Sequence, residues 1–175
     1  MKTTGKVLRS VSLAVLSGGS AAIVFSAIVL VKAATAKGIP VAEAAAVNAP
    51  IFIHYAKVAL GASILLGLSE LIDFQSNTQK SKLDTARYLS SFLCIISMLV
   101  YALAIVPPMA ALLPDIKTVA AAHQQFQHLH EVSRAVFGAG ILFAFISVLL
   151  PCFKKDTEIK NLTSESKDLD RALSK

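Results

Sequence analysis

The chain has 175 residues, 55% of them hydrophobic and only 16% charged, with a mean hydropathy of +0.65. A soluble domain carries roughly 25% charged and about 45–50% apolar residues, and here the apolar excess is gathered into four long blocks. A soluble enzyme, a disordered tail protein and a disulfide scaffold are thereby excluded. The net charge of +6 sits mainly in the tails and one loop, the pattern of a membrane-orienting bias rather than of nucleic-acid binding.

The first block, Val11 to Val31, is uncharged between Arg9 and Lys32 and predicts a helix over about 10–32. At ~1.5 Å per residue its 21 residues reach ~31 Å, the thickness of the hydrocarbon layer. A signal peptide is the rival reading, with Lys2, Lys6 and Arg9 as its basic start and Ala34-Thr35-Ala36 as its cleavage site. The apolar core exceeds the ~7–15 residues of such a segment, so a retained helix is expected. Gly18, Ala22 and Ser26 recur every fourth residue and form a small-residue face suited to close helix packing or to a dimer. Ser17-Gly18-Gly19-Ser20 follows no strand and is not a phosphate loop.

The second block predicts a helix over about 50–71, opening at Pro50, with His54 and Lys57 in its first two turns and Ala59, Ser63 and Gly67 as a second small-residue row. A short polar hairpin from Asp73 to Asp84 follows. The third helix is expected over about 88–106, ended by Pro107-Pro108, because proline lacks a backbone donor and strains the preceding turn. A longer loop runs from Pro107 to Glu131 and reads as helical from Thr118 onward. The fourth helix is expected over about 132–153, with Gly140 and Ala144 on one face, before a charged tail over 154–175 whose Ile159, Leu162, Leu169 and Leu173 are spaced for a short amphipathic or disordered segment.

These blocks predict an all-α fold, an antiparallel four-helix integral membrane bundle over 8–150, with an N-terminal tail at 1–10. Twelve Lys and Arg in the tails and second loop stand against Lys32, Lys37, Lys117 and Arg134 on the other side. Both termini are therefore expected in the cytoplasm, of a bacterial inner membrane or an organelle membrane. Asn161-Leu162-Thr163 is then no glycosylation site.

Chemistry-bearing residues concentrate at the outer end: all four histidines, Lys57, Glu131 and Arg134. Charge near the bilayer pairs, snorkels or lines a polar cavity. Either Lys57 snorkels outward, or His54 and Lys57, three apart on one face, meet His130, Ser133 and Arg134 in a polar site. Helix starts at Pro50 and near His130 would add their positive dipole ends to it. No cofactor is expected. The alternative is haem b or copper held by His54 and His130 on two helices. Cys94 and Cys152 form no metal, redox or disulfide pattern, and no nucleophile–base pair or carboxylate pair marks an enzyme.

Val15-Leu16-Ser17-Gly18-Gly19, Asn48-Ala49-Pro50-Ile51-Phe52-Ile53-His54 and Phe126-x-x-Leu129-His130-x-x-Ser133 occur in this order. With the four-helix layout they resemble the transmembrane protein 205-like family, small four-helix membrane proteins, over about residues 8–150. Phe137 departs from that pattern, where a polar Asn is often found one turn after the serine. The resemblance implies a fold rather than a reaction. The expected function is that of a non-enzymatic multi-pass membrane protein, a transport accessory or a subunit of a larger complex. Its expected partners are the bilayer and a larger membrane complex or copies of itself, not nucleic acid.

Overall fold

A computed structural model describes residues 2–77, 81–116 and 118–173, with the side chains at 2, 42, 45, 46 and 154–173 outside that description. Every regular element among the described residues is helical: α1 (Lys2–Ala14), α2 (Ser20–Thr35), α3 (Val41–Ser76), α4 (Lys82–Leu99), α5 (Val106–Leu112) and α6 (Ala120–Leu173). Single π-helical segments at Val15–Gly19 and Val100–Ile105 join α1 to α2 and α4 to α5. Four helical stretches are long and apolar enough to cross a membrane: Thr3–Thr35, Val47–Ser76, Lys82–Leu112 and Ala120–Phe153.

Helix boundaries differ from the sequence expectation at several points: α1 starts at Lys2, inside the expected N-terminal tail, and α4 starts at Lys82, ahead of the expected 88. α3 begins at Val41, so Pro50 lies inside a helix instead of opening one. The third span runs through Pro107-Pro108 to Leu112. The π segment ends at Ile105, so both prolines fall in the first turn of α5, where their missing N–H is not needed. α6 begins at Ala120 and absorbs the Ala- and Gln-rich part of the third loop together with the fourth apolar block, then continues to Leu173. The start of α4 follows local chemistry: Ser81 Oγ accepts from the Asp84 N–H, and the Asp84 carboxylate accepts from the Ser81 N–H, a reciprocal cap.

Contacts run in opposite order along neighbouring spans. Gly5 faces Ile72, Arg9 meets Glu70, and Gly19 approaches Tyr55. Along the third span Ser91 meets Ser147, Met98 lies against Gly140, and Tyr101 against Phe137. The core holds Leu13, Leu16, Leu66, Met98 and Cys94, each at most 1% exposed. Toward its other half, Phe137 is ringed by Phe52, Tyr55 and Tyr101 at centroid distances of 6.4, 6.1 and 4.6 Å. Phe137 thus forms an aromatic plug.

Small residues pack the core selectively. Ala59, Ser63 and Ala144 are fully buried, and a Cβ on Gly140 would stand 2.7 Å from the Met98 methyl. Gly18, Ala22 and Ser26, in contrast, are exposed on the outside of the single chain, with open space beyond Gly18. The first span packs instead through Ser12, Leu16 and Ser20, the same four-residue period on a different face. The π segment supports this choice. A wider turn leaves a carbonyl to be satisfied from outside the helix, and Tyr55 Oη donates to Val15 O at 2.7 Å while lying 3.0 Å from Ser20 Oγ.

Candidate functional site

The polar chemistry of the bundle is concentrated at the end opposite to the one its histidines suggest. There α1 begins, α3 ends, α4 begins and α6 passes Ser147. Arg9 borders the first apolar block, and its guanidinium turns inward. Nε donates to Glu70 Oε1 at 2.7 Å, and Nη2 donates to Ser147 O and Oγ at 2.6 and 2.8 Å. Ser91 Oγ donates to the same Glu70 oxygen at 2.7 Å and lies 2.6 Å from Ser147 Oγ. One carboxylate on α3 therefore gathers donors from the first and third spans, and Ser147 brings in the fourth.

Helical spacing extends the cluster. Glu70 and Asp73 are three apart on α3, and Arg87 and Ser91 four apart on α4, so each pair shares a face. Arg87 Nη2 stands 3.4 Å from Glu70 Oε2 and donates to Asp73 Oδ2, which also accepts from Tyr88 Oη at 2.9 Å. The Arg87 guanidinium lies 4.4 Å from the Tyr88 ring centre. The side chains of Arg9, Glu70 and Arg87 are only 10–11% exposed. Burial at this level requires neutrality, because an unpaired ion costs several kcal/mol, and two arginines against two carboxylates supply it. Beside the cluster opens a cleft of about 470 Å³, bordered by Lys6, Arg9, Asp73, Asp84 and Arg87.

The outer-end residues stand on α3 and α6, with no bond joining those of one helix to those of the other among the described residues. His54 and Lys57 are exposed on α3, and Arg134 is exposed on α6. His130 is half-buried and stacks on Phe126 of its own helix, centroids 6.3 Å apart. Ser133 is buried, but its hydroxyl donates to the His130 carbonyl at 2.7 Å, a bond within the helix. Among the described residues no hydrogen bond or ion pair joins His54 or Lys57 to His130, Ser133 or Arg134. Nor does any group of three or more His, Cys, Asp or Glu side chains there stand close enough to hold a metal ion. The expected helix starts are also displaced, since Pro50 and His130 lie about two turns or more inside α3 and α6. Lys57 instead borders an apolar groove of about 220 Å³ between the second and third spans, with Ala56, Ala102, Val106 and Ala110 among its walls.

In the sequence Arg9, Arg87 and Asp73 read as tail and loop residues because they stand at block ends. Three signals point to the cluster all the same: Glu70 and Asp73 at helical spacing, Arg87 one turn before Ser91, and the lone Ser147 in an otherwise apolar run. No protein-family model, curated protein or solved structure matches the chain.

Proposed function

We propose that this is a multi-pass membrane protein, an antiparallel bundle with both termini cytoplasmic, that performs no chemistry of its own and serves as a subunit or transport accessory of a larger membrane complex. The opposite order of contacts along neighbouring spans supports the antiparallel arrangement, and the excess of Lys and Arg in the tails and second loop supports the sidedness. The resemblance to the transmembrane protein 205-like family favours the same layout.

The observation that carries the subunit reading is the place of Lys57. It lies 14 residues after Glu43 and 13 before Glu70 on one helix, so about 20 Å from each along the axis. A hydrocarbon layer ~30 Å thick that ends at the level of Glu70 sets Lys57 about 10 Å inside its other face. It is exposed, and no hydrogen bond or ion pair of Lys57 occurs among the described residues. A cation in that position needs a counter-charge. A phospholipid head group meets this cation only if the stem runs along the helix toward the surface, whereas a neighbouring helix can place a carboxylate at the same level. The alanines lining the adjacent groove allow a close backbone approach. The partner is accordingly a transmembrane helix bearing Asp or Glu.

Photo-crosslinking in native membranes tests this. A photoreactive residue at Ala110 should give a discrete protein adduct that Lys57→Met abolishes, whereas one at Ala22 should not depend on Lys57. Adducts to lipid alone, or a homodimer adduct unaffected by Lys57→Met, would overturn the reading.

A further inference from the structure

The cleft beside Arg9 and Arg87 has a donor surplus that the buried cluster does not absorb. Its acids are each committed within the fold. Asp73 accepts from Arg87 and Tyr88, and Asp84 caps α4 through the N–H and hydroxyl of Ser81. Glu70, behind the cleft, takes Arg9 and Ser91 on one oxygen; the other lies 3.4 Å from Arg87 Nη2 as an ion pair and accepts no hydrogen bond among the described residues. Its cations are not used up. Arg9 spends Nε and Nη2, and Arg87 spends Nη2, so the Nη1 group of each makes no hydrogen bond among the described residues. Arg87 Nε is buried without a partner. Lys6 is exposed on the rim, and no ion pair or hydrogen bond of its ammonium group occurs among the described residues.

We propose that this cleft binds a phosphate group. Guanidinium groups present paired N–H donors that match phosphate oxygens, and a lysine adds a point charge. The first turn of α4 borders the cleft at Leu83 and Asp84, so its positive dipole end adds to the attraction. Arg9 and Arg87 are already held in place by Glu70, Ser147 and Asp73, which removes much of the entropy cost of ordering them on a ligand. The volume of about 470 Å³ is within the ~300–1,000 Å³ typical of small-molecule sites. The cleft lies where the apolar blocks end, which is head-group depth. The phosphate is therefore that of a phospholipid head group or of a soluble phosphate ester, one chemistry from two sources.

The test uses the full chain in mild detergent, with ligand affinity read by intrinsic fluorescence or calorimetry. The probes are short-chain phosphatidylglycerol, short-chain phosphatidylethanolamine, glycerol 3-phosphate and, as a phosphate-free control, short-chain diacylglycerol. At least one phosphate-bearing probe should bind about tenfold or more tightly than diacylglycerol, the scale of one charge-assisted hydrogen bond. Binding of the lipids without glycerol 3-phosphate assigns the head group; binding of glycerol 3-phosphate as well assigns the ester itself. Lys6→Glu, at an exposed position, and Ser10→Trp, which fills the cleft mouth from an exposed position, should each weaken binding about tenfold while leaving the thermal transition in place. Equal affinity for diacylglycerol and every phosphate probe overturns the proposal, as does undiminished binding by both variants.

Discussion

Arg9 and Glu70, 61 residues apart in sequence, meet at 2.7 Å and close the first span onto the second. The carboxylate they share with Arg87 and Ser91 is the hub of the four-helix contact. Replacing Glu70 by Leu leaves two buried guanidinium groups with one remaining carboxylate. The expected loss is about 3–5 kcal/mol, the cost of stranding one member of a buried pair. Glu70→Gln keeps an acceptor and should lose less. Combining Arg9→Met with Glu70→Leu should recover part of the loss, because it removes an unpaired charge rather than creating one. Denaturant unfolding in detergent measures all three, and a Glu70→Leu protein as stable as the parent contradicts the buried ion pair.

Small-residue positions should separate by face. Gly140→Leu drives a side chain into Met98, whose methyl would stand only 2.7 Å from the new Cβ. It should lower the thermal transition by several degrees, the effect of about 1–3 kcal/mol of overpacking. Gly140→Ala should cost little, since the far end of a methionine can move. Gly18→Leu and Ala22→Leu point away from the core and should leave the monomer's transition unchanged.

Tyr55 satisfies the carbonyl at the first π segment. Tyr55→Phe leaves Val15 O without that donor and should destabilise by about 1–3 kcal/mol. Amide exchange should accelerate at residues 15–20 and stay slow near Ser91, which locates the effect. Uniform acceleration across the bundle would mean that the hydroxyl does not hold this turn in particular.

Phe137→Ala opens a cavity among Phe52, Tyr55 and Tyr101. In a water-soluble core such a change costs roughly 3–5 kcal/mol. Here the expected loss is smaller, because lipid provides no hydrophobic drive for helix association and only packing is forfeited. Equilibrium unfolding distinguishes the two scales.

Sidedness is checked by reporter fusions. One after Lys175 should read as cytoplasmic, and one at Ala42, between the first two spans, as the far side. A cytoplasmic signal from the Ala42 fusion would refute the charge-count argument.

The number and identity of the spans were legible in the residues themselves. A run of about 20 apolar residues has few ways to satisfy its backbone in lipid except as a helix, so Val11–Val31 and its three counterparts announce themselves. What helix periodicity alone does not specify is which face turns inward or how far a helix continues past an apolar block. The small-residue row of Gly18, Ala22 and Ser26 reads as a packing face, yet Ser12, Leu16 and Ser20 hold it. Both rows have the same period, and the choice between them is made by partners on other helices, Tyr55 at Val15 O and Ser20 Oγ among them. Arg9, Glu70, Asp73 and Arg87 look like boundary charges because each stands at the edge of a block. Their pairing depends on long-range contacts, Arg9 with Glu70 and Ser147 above all, that bring the ends of different spans to one level. Composition and hydropathy thus determined where the chain is helical and apolar, through local physics. Tertiary packing decided which charges are buried together, because a buried ion is tolerated only where another segment supplies its counter-charge.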